Sequence, residues 1–486
     1  MKKYIRILFL ISLLPLAFAG CSKRFLDERL YSSYAPETLT DSLGFEAAVV
    51  GLHNIVSSWW TFSDNQGWPA VWQVGTDIAW TIPTRGGGHE LPYNDYNTLT
   101  STDGAAATAW SWAYRTINNA NNIIVQVENP DLTGMTQNNK NYINAEARFF
   151  RAFAYNNLAT LFGRVPLITE PLKNPKTDFV RAPLDSVNDR IIEDLSFSAA
   201  NLPDIDNVKN NAKGKMYARA NKAMAQQLLA EVYLRSGKPE LAEQQLNLII
   251  SSNKFNLTTA RYGTKQSSPG DYFYDMFVYG NQRRNQGNRE ALWVIEMENP
   301  ATVQGGITNS PQMRRNWGAA YHEVAGMKLT DSTGGRSNAR MRVSNWVIYH
   351  LYEENDIRNS HYNFRRRYWY NNPASPLFGQ PVPYAGNDTM HRLAPHPTKW
   401  YQFDPADEFG FSTIKDIIVM RLAETYLLLA EAQFKQNKFT DAANSINVIR
   451  SRANASLVDP ADVDIDRKST RLNSSLPYRS RMPSSA

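Results

Sequence analysis

LLAEVYLRSGKPELAEQQLNLII runs from residue 228 to 250, and LLAEAQFKQNKFTDAANSINVIR from 428 to 450. At an offset of 200, eight of the 23 positions are identical, among them Leu228 with Leu428, Ala230 with Ala430 and Ala242 with Ala442. Each copy reads as a helix, a short turn and a second helix. In the first copy Gly237 ends the opening helix, because glycine takes up the left-handed backbone of a helix stop without steric cost. Pro239 starts the next helix, where its missing N–H is not needed. The small alanines let paired helices approach closely. Self-similarity of this kind marks a structure built from stacked helix pairs, none of which buries its apolar face alone.

Working outward, more helices follow. Ser42 to Val56 and Ala105 to Val127 are read as helical. Asn141 to Phe162 is the clearest case, with Ile143, Ala147, Phe150, Ala154, Leu158 and Leu161 spaced four, three, four, four and three apart. Gly163 caps it and Pro166 prevents its resumption. Phe149 and Phe153 add a second apolar stripe, so this helix is expected to be buried on two sides, with Arg148 and Arg151 in structural ion pairs. Residues 57 to 97, by contrast, are rich in Trp, Gly and Pro and read as a long structured loop, a length usually associated with function. Residues 255 to 415 are irregular, with a strand-like run from Ala291 to Met297 and a short helix expected over 345–354. The helix pairs resemble tetratricopeptide repeats. The fold class is therefore mainly α, a tetratricopeptide-like helix-pair scaffold carrying a loop-rich, irregular ligand-binding subdomain at about 255–415.

The N-terminus gives an address. Lys2, Lys3 and Arg6 precede a mostly apolar run, followed by Ala19, Gly20 and Cys21, the single cysteine of the chain. Residues 1–20 read as a secretory signal. Ala-Gly-Cys resembles the end of a bacterial lipobox, which makes Cys21 the expected site of lipid attachment and the anchor of the mature protein. The formal charge of +6 misleads. Without the three cations of the signal and the five of residues 467–486, it becomes −2. Nucleic acid is thus a poor partner on charge grounds. The 467–486 tail, dominated by Ser and Arg with no helical or strand period, is expected to be non-native.

Catalytic patterns are missing. No metal-protease, nucleophile-elbow or phosphate-loop motif occurs. The seven His are scattered, with His391 and His396 the nearest pair and no Cys or acidic cluster beside them. No metal, cofactor or catalytic residue is expected, and the chain is read as a non-enzyme.

CSKRFLD at 21–27, WSWAYRTINNANNII at 110–124, AEARFFRAFAYNNLATLFGRVPLIT at 145–169, LYEENDIR at 351–358, VMRLAETYLLLAEA at 419–432 and INVIRSRA at 446–453 together resemble the SusD/RagB family. The resemblance covers most of residues 21–466, taken as one SusD-like domain. Family members usually continue into a further Glu-Arg and Glu-Leu rich helix, so the chain is expected to be C-terminally truncated. The resemblance implies a nutrient-binding outer-membrane lipoprotein that faces the cell surface. It would capture oligosaccharide and deliver it to a TonB-dependent, SusC-like transporter.

A sugar ring has an apolar face of C–H groups and a rim of hydroxyls. Indole or phenol planes cover the first, and Asp, Asn or Arg satisfies the second. Trp68, Trp72 and Trp80 are candidate platforms, with Asp77, Asn65 and Arg85 as hydrogen-bonding partners. Trp317 and Tyr321 form a second candidate set, whereas Trp59, Trp60 and Trp110 are expected in the core. Two alternatives stay open. The same scaffold could bind peptides. A lipid-anchored glycoside hydrolase would need two carboxyls about 5 to 9.5 Å apart, for which Asp64, Asp77, Glu90 and Asp95 are the acids of the Trp-rich loop.

Overall fold

The two repeat copies, 200 residues apart in sequence, lie side by side. In the computed structural model, which describes residues 39–463 except 62–71, 83–90, 173, 212–213, 305, 308–310, 385–388 and 411, the long helices are α1 (Ser42–Ser57), α2 (Gly104–Val127), α3 (Gln137–Phe162), α4 (Leu184–Asn201), α5 (Lys222–Arg235), α6 (Pro239–Ser251), α7 (Leu422–Lys435) and α8 (Phe439–Arg452). Each packs on the next from α2 to α8, with α1 against α2 and α3. Cys21, Asn65, Trp68, Arg85, Asp64, Glu90 and the 467–486 tail lie outside the described residues.

The repeat extends to its turn as well as its helices. Gly237 has φ +70° and Asn437 φ +60°, the two residue types that tolerate left-handed backbone best. In both copies the following lysine N–H donates back five residues, Lys238 to Tyr233 and Lys438 to Gln433, which closes the helix end as a Schellman-type cap does. Ala230, Leu234, Ala242 and Leu246 then pack with Leu428, Leu429 and Ala432 in one apolar cluster. Polar contacts clip the seam. Glu243 on α6 accepts from Gln436 Nε2 at 2.8 Å and pairs with Lys438 Nζ at 2.7 Å. Gln227 on α5 donates to Glu424 and accepts from Thr425, both on α7.

α3 is the hub. Polar caps fix its start, Thr136 accepting from the Asn139 N–H at 3.2 Å, and Gly163 ends it at φ +67°. Phe149, Phe150 and Phe153 are buried and surround Trp293, with ring centroids 5.6, 6.3 and 5.0 Å away. Trp60 joins them at 6.1 Å. Trp59 is also buried, while Trp110 is half-buried. Arg151 grips Asp194 of α4 through two bonds of 2.8 and 2.7 Å and reaches Asn121 of α2 at 2.8 Å. The arginine is structural, tying three helices together. α4 goes beyond the sequence expectation, although its buried Val187, Ile191 and Leu195 recur every four residues.

Four short strands organise the irregular part: β1 (Ala79–Thr81), β2 (Ala291–Ile295), β3 (Met341–Val343) and β4 (Ile417–Arg421). β2 pairs antiparallel with β4, and β1 with β3. β4 runs directly into α7, and Asn221, the cap of α5, donates to the Leu292 carbonyl at 3.0 Å. The long helices stop at Ser251 and resume at Leu422, and the β2–β4 ribbon pairs residues 291–295 of the excursion between them with residues 417–421 at its end. Two details differ from the sequence reading. Residues 57–97 are not wholly loop, since they supply β1. The 345–354 helix is only Asn345–Tyr349, because one short turn suffices to bury Val347 and Ile348.

Candidate ligand-binding face

The β1–β3 ribbon and the turn after it present a set of open aromatic rings. Approach to β1 depends on Gly75, at φ +76°, where an added Cβ would lie 2.0 Å from the Tyr93 carbonyl oxygen. Thr76 Oγ1 accepts from the N–H groups of Ile78 and Ala79 at 3.3 Å each, which leaves Asp77 exposed at the bend. Trp80 is half-buried and lies opposite Arg342 in the register. The Arg342 guanidinium is 5.7 Å from the Trp80 ring centroid, within cation–π range.

Arg342 also shapes the next element. Its Nη1 donates to Asn345 Oδ1 at 2.9 Å. Ser344 caps the short helix through Oγ to the Val347 N–H at 3.3 Å, while its own N–H reaches the Ile78 carbonyl at 2.6 Å. Arg366 holds the far end by donating to the Ile348 carbonyl at 3.1 and 2.8 Å. With Val347 and Ile348 buried, Trp346 and Tyr349, three residues apart and so on one side of the turn, face outward at 38% and 60% exposure. Tyr384 is also exposed, and the burial it does have pushes its phenol up to about 12. Burial also lowers the pKa of Arg342 and Arg366. The ribbon and the turn after it therefore carry Trp80, Trp346 and Tyr349, with Asp77 and Asn345 on the same two segments.

The sequence candidates divide. Trp80 is half-buried on β1, and Asp77 is exposed at the bend before it. Trp72 is buried and stands edge-on to Trp59 with centroids 4.9 Å apart. Trp317 at 3% and Tyr321 at 1% exposure leave no ring face for a ligand. Tyr321 stacks on Tyr368, and its hydroxyl donates to the Gly335 carbonyl at 3.1 Å. These three large aromatics lie where apolar surface is best kept from water. Trp346, Tyr349 and Tyr384 went unmarked in the sequence, although an aromatic pair three apart beside two buried aliphatics is a readable sign of a turn with one open side.

His396 is buried and held well below its ordinary value, at about 4, by desolvation. Its Nε2 meets the Tyr401 hydroxyl at 2.9 Å, a packing role. Among the described residues no group of three or more His, Cys, Asp or Glu is placed to hold a metal, and no helix is long and apolar enough to cross a membrane.

A stack of helix pairs bearing an irregular aromatic face defines a helical scaffold protein built to present a surface. Comparison with known proteins gives the family. A family model described as "Starch-binding associating with outer membrane" matches residues 84–234, and the SusD family model matches residues 276–474. The chain belongs to the SusD/RagB family. It is 27% identical over 478 residues to "SusD-like protein P2" of Formosa agariphila, covering 93% of this chain and 82% of that protein. It is 26% identical over 311 residues to a SusD-like protein of Bacteroides ovatus, 60% of this chain and 49% of the relative. Among solved structures, a laminarin-binding SusD-like protein superposes with a TM-score of 0.66 at 19% identity, over 89% of this chain and 88% of the other. Surface glycan-binding protein A from Bacteroides fluxus does so with a TM-score of 0.65 at 18% identity, over 90% and 86%. These likenesses support the tetratricopeptide-like helical fold.

Proposed function

We propose that the protein captures oligosaccharide on the face of Trp80, Trp346, Tyr349 and Tyr384. The observation that carries this reading is the Asn345–Tyr349 turn, which buries Val347 and Ile348 yet holds Trp346 and Tyr349 open. Large aromatics are normally kept from water, and a cluster of exposed ones marks an interaction surface. Rings of this kind cover the C–H face of a sugar, while Asp77, Asn345 and Arg367 reach its hydroxyls. The glycan-binding relatives support the same reading. In it the protein binds without cleaving. Cys21 carries a lipid that holds the protein to the outer membrane, facing the cell surface, and a TonB-dependent, SusC-like transporter receives the ligand.

Titration calorimetry with starch and β-glucan oligosaccharides tests the site. A sugar-binding Tyr349→Ala variant should lose about tenfold in affinity, equivalent to about 1.4 kcal/mol, at an unchanged melting temperature. Unchanged affinity would remove Tyr349 from the site. Retention of peptides with no glycan bound would turn the reading to the peptide alternative. New reducing ends after incubation would turn it to hydrolysis.

A further inference from the structure

The β1–β3 ribbon has a cation built into it that no acid answers. Arg342, on β3, is 5% exposed. Its guanidinium lies 5.7 Å from the Trp80 ring centroid. Two neutral oxygens serve it, since Nη1 donates to Asn345 Oδ1 at 2.9 Å and to the Val343 carbonyl at 3.3 Å. Nε is buried with no acceptor. Burial lowers the pKa of the group, and Tyr349, in the turn that follows, opposes it.

The acids on the elements around Arg342 are exposed or engaged elsewhere. Asp77 is exposed at the bend before β1. Asp95 accepts from the Asn97 N–H at 3.1 Å and from Asn97 Nδ2 at 3.0 Å. Beyond the Asn345–Tyr349 turn, Glu353 pairs with Arg450 and accepts from the Ser456 N–H at 2.8 Å. Glu354 is exposed, and Asp356 is taken by Arg358. Arg366, at the far end of the turn, likewise meets neutral oxygens, those of Ile348 and Asn359. The turn that holds Trp346 and Tyr349 open is thus gripped at both ends by arginines that bond to neutral acceptors.

A buried cation served by neutral dipoles has lost its hydration without gaining an opposite charge. A guanidinium matches a carboxylate or a sulfate ester in shape and charge, and bonds between them are about twice as strong as neutral ones. Asn345 is exposed, so its carboxamide can turn outward and leave Nη1 to another oxygen. We propose that the sugar bound at this face is acidic, and that its carboxylate or sulfate ester replaces Asn345 on the guanidinium of Arg342. The inference rests on the glycan-binding reading above and narrows its substrate class.

Calorimetry on the full chain uses matched pairs of probes: oligogalacturonate and its methyl ester, and sulfated and desulfated galactan oligosaccharides. In one pair the charged member binds about tenfold tighter than the neutral one, and Arg342→Gln brings that ratio close to one. The pair that shows the preference tells carboxylate from sulfate ester. If Arg342→Gln folds poorly, the wild type is titrated at about 0.01 and about 0.5 M salt, where the charged member alone weakens. Equal affinity within both pairs overturns the inference and leaves the glycan-binding reading standing. So does binding of neutral starch or β-glucan oligosaccharides with neither charged probe bound. A preference that survives Arg342→Gln, or an equal salt response of both members, overturns the role of Arg342. Binding of no oligosaccharide at all, charged or neutral, removes the glycan-binding reading and this inference with it.

Discussion

Glu146→Gln tests the clasp that joins the first helices to the rest of the stack. Glu146, on α3, is fully buried. It meets His53 of α1 at 2.6 Å and accepts from Arg219 Nε at 2.8 Å and the Ala220 N–H at 3.2 Å. Burial alone would raise its pKa. The charge and hydrogen bonds of Arg219, helped by His53, outweigh burial and bring it from 4.5 to about 2. That is roughly 2.5 pH units, so the ionised carboxylate contributes on the order of 3 kcal/mol. The folded pKa lies below the unfolded one, so this stability is fully present above about pH 4.5 and is lost as pH falls towards 2. Urea unfolding followed by tryptophan fluorescence should place the variant about 3 kcal/mol below the wild type at pH 7. The gap should narrow below pH 4.5 and nearly close at pH 2. A gap of the same size at pH 7 and pH 3, or none at pH 7, would refute the reasoning.

Trp72→Ala should cost about 3–5 kcal/mol of stability by opening a core cavity, measured as a large fall in melting temperature, while Trp346→Ala should leave that temperature unchanged and weaken ligand binding. Gly237→Ala and Asn437→Ala each place a Cβ-bearing residue of poor left-handed propensity in the repeat turn. Each should lose about 1 kcal/mol in urea unfolding, with the two losses similar because the turns are equivalent. Cys21→Ser should abolish lipid incorporation by intact-mass measurement and release the protein from membranes on fractionation, whereas membrane retention without lipid would count against the anchor at Cys21.

The helical scaffold was legible because its signals are local. Leu228-Leu229-Ala230-Glu231 and its copy carry both the small contacts and the apolar side of the pair, and Gly237 and Pro239 mark the turn by backbone chemistry alone. The aromatic core of α3 was legible for the same reason. The candidate ligand face was less so. Whether a tryptophan is platform or core depends on what packs over it. Trp72 meets Trp59, and Trp317 is enclosed by the irregular part, contacts made between distant segments. Trp80 sits on β1 opposite Arg342, whose guanidinium lies over its ring, and stays half-buried, while Trp72 is outside any strand and closed off by Trp59. Nor could charge counting reveal that Lys399, Arg421 and Arg452 meet around Phe273, since they come from distant positions and meet only once β4 and α8 are in place.

The β2–β4 ribbon has a consequence for how such a molecule can change. It pairs residues 291–295 of the excursion with residues 417–421 at its end, and α6 packs on α7 as if nothing lay between them. Closing a loop costs free energy only as the logarithm of its length. Once the ribbon is paired, the stack is therefore nearly indifferent to how many residues the excursion holds or what they bind. Length changes in its exposed loops leave the helix-pair register untouched, while Met313, Trp317, Met341 and Val347 stay packed in the same core as the helices, so the surface can be rewritten only above that layer.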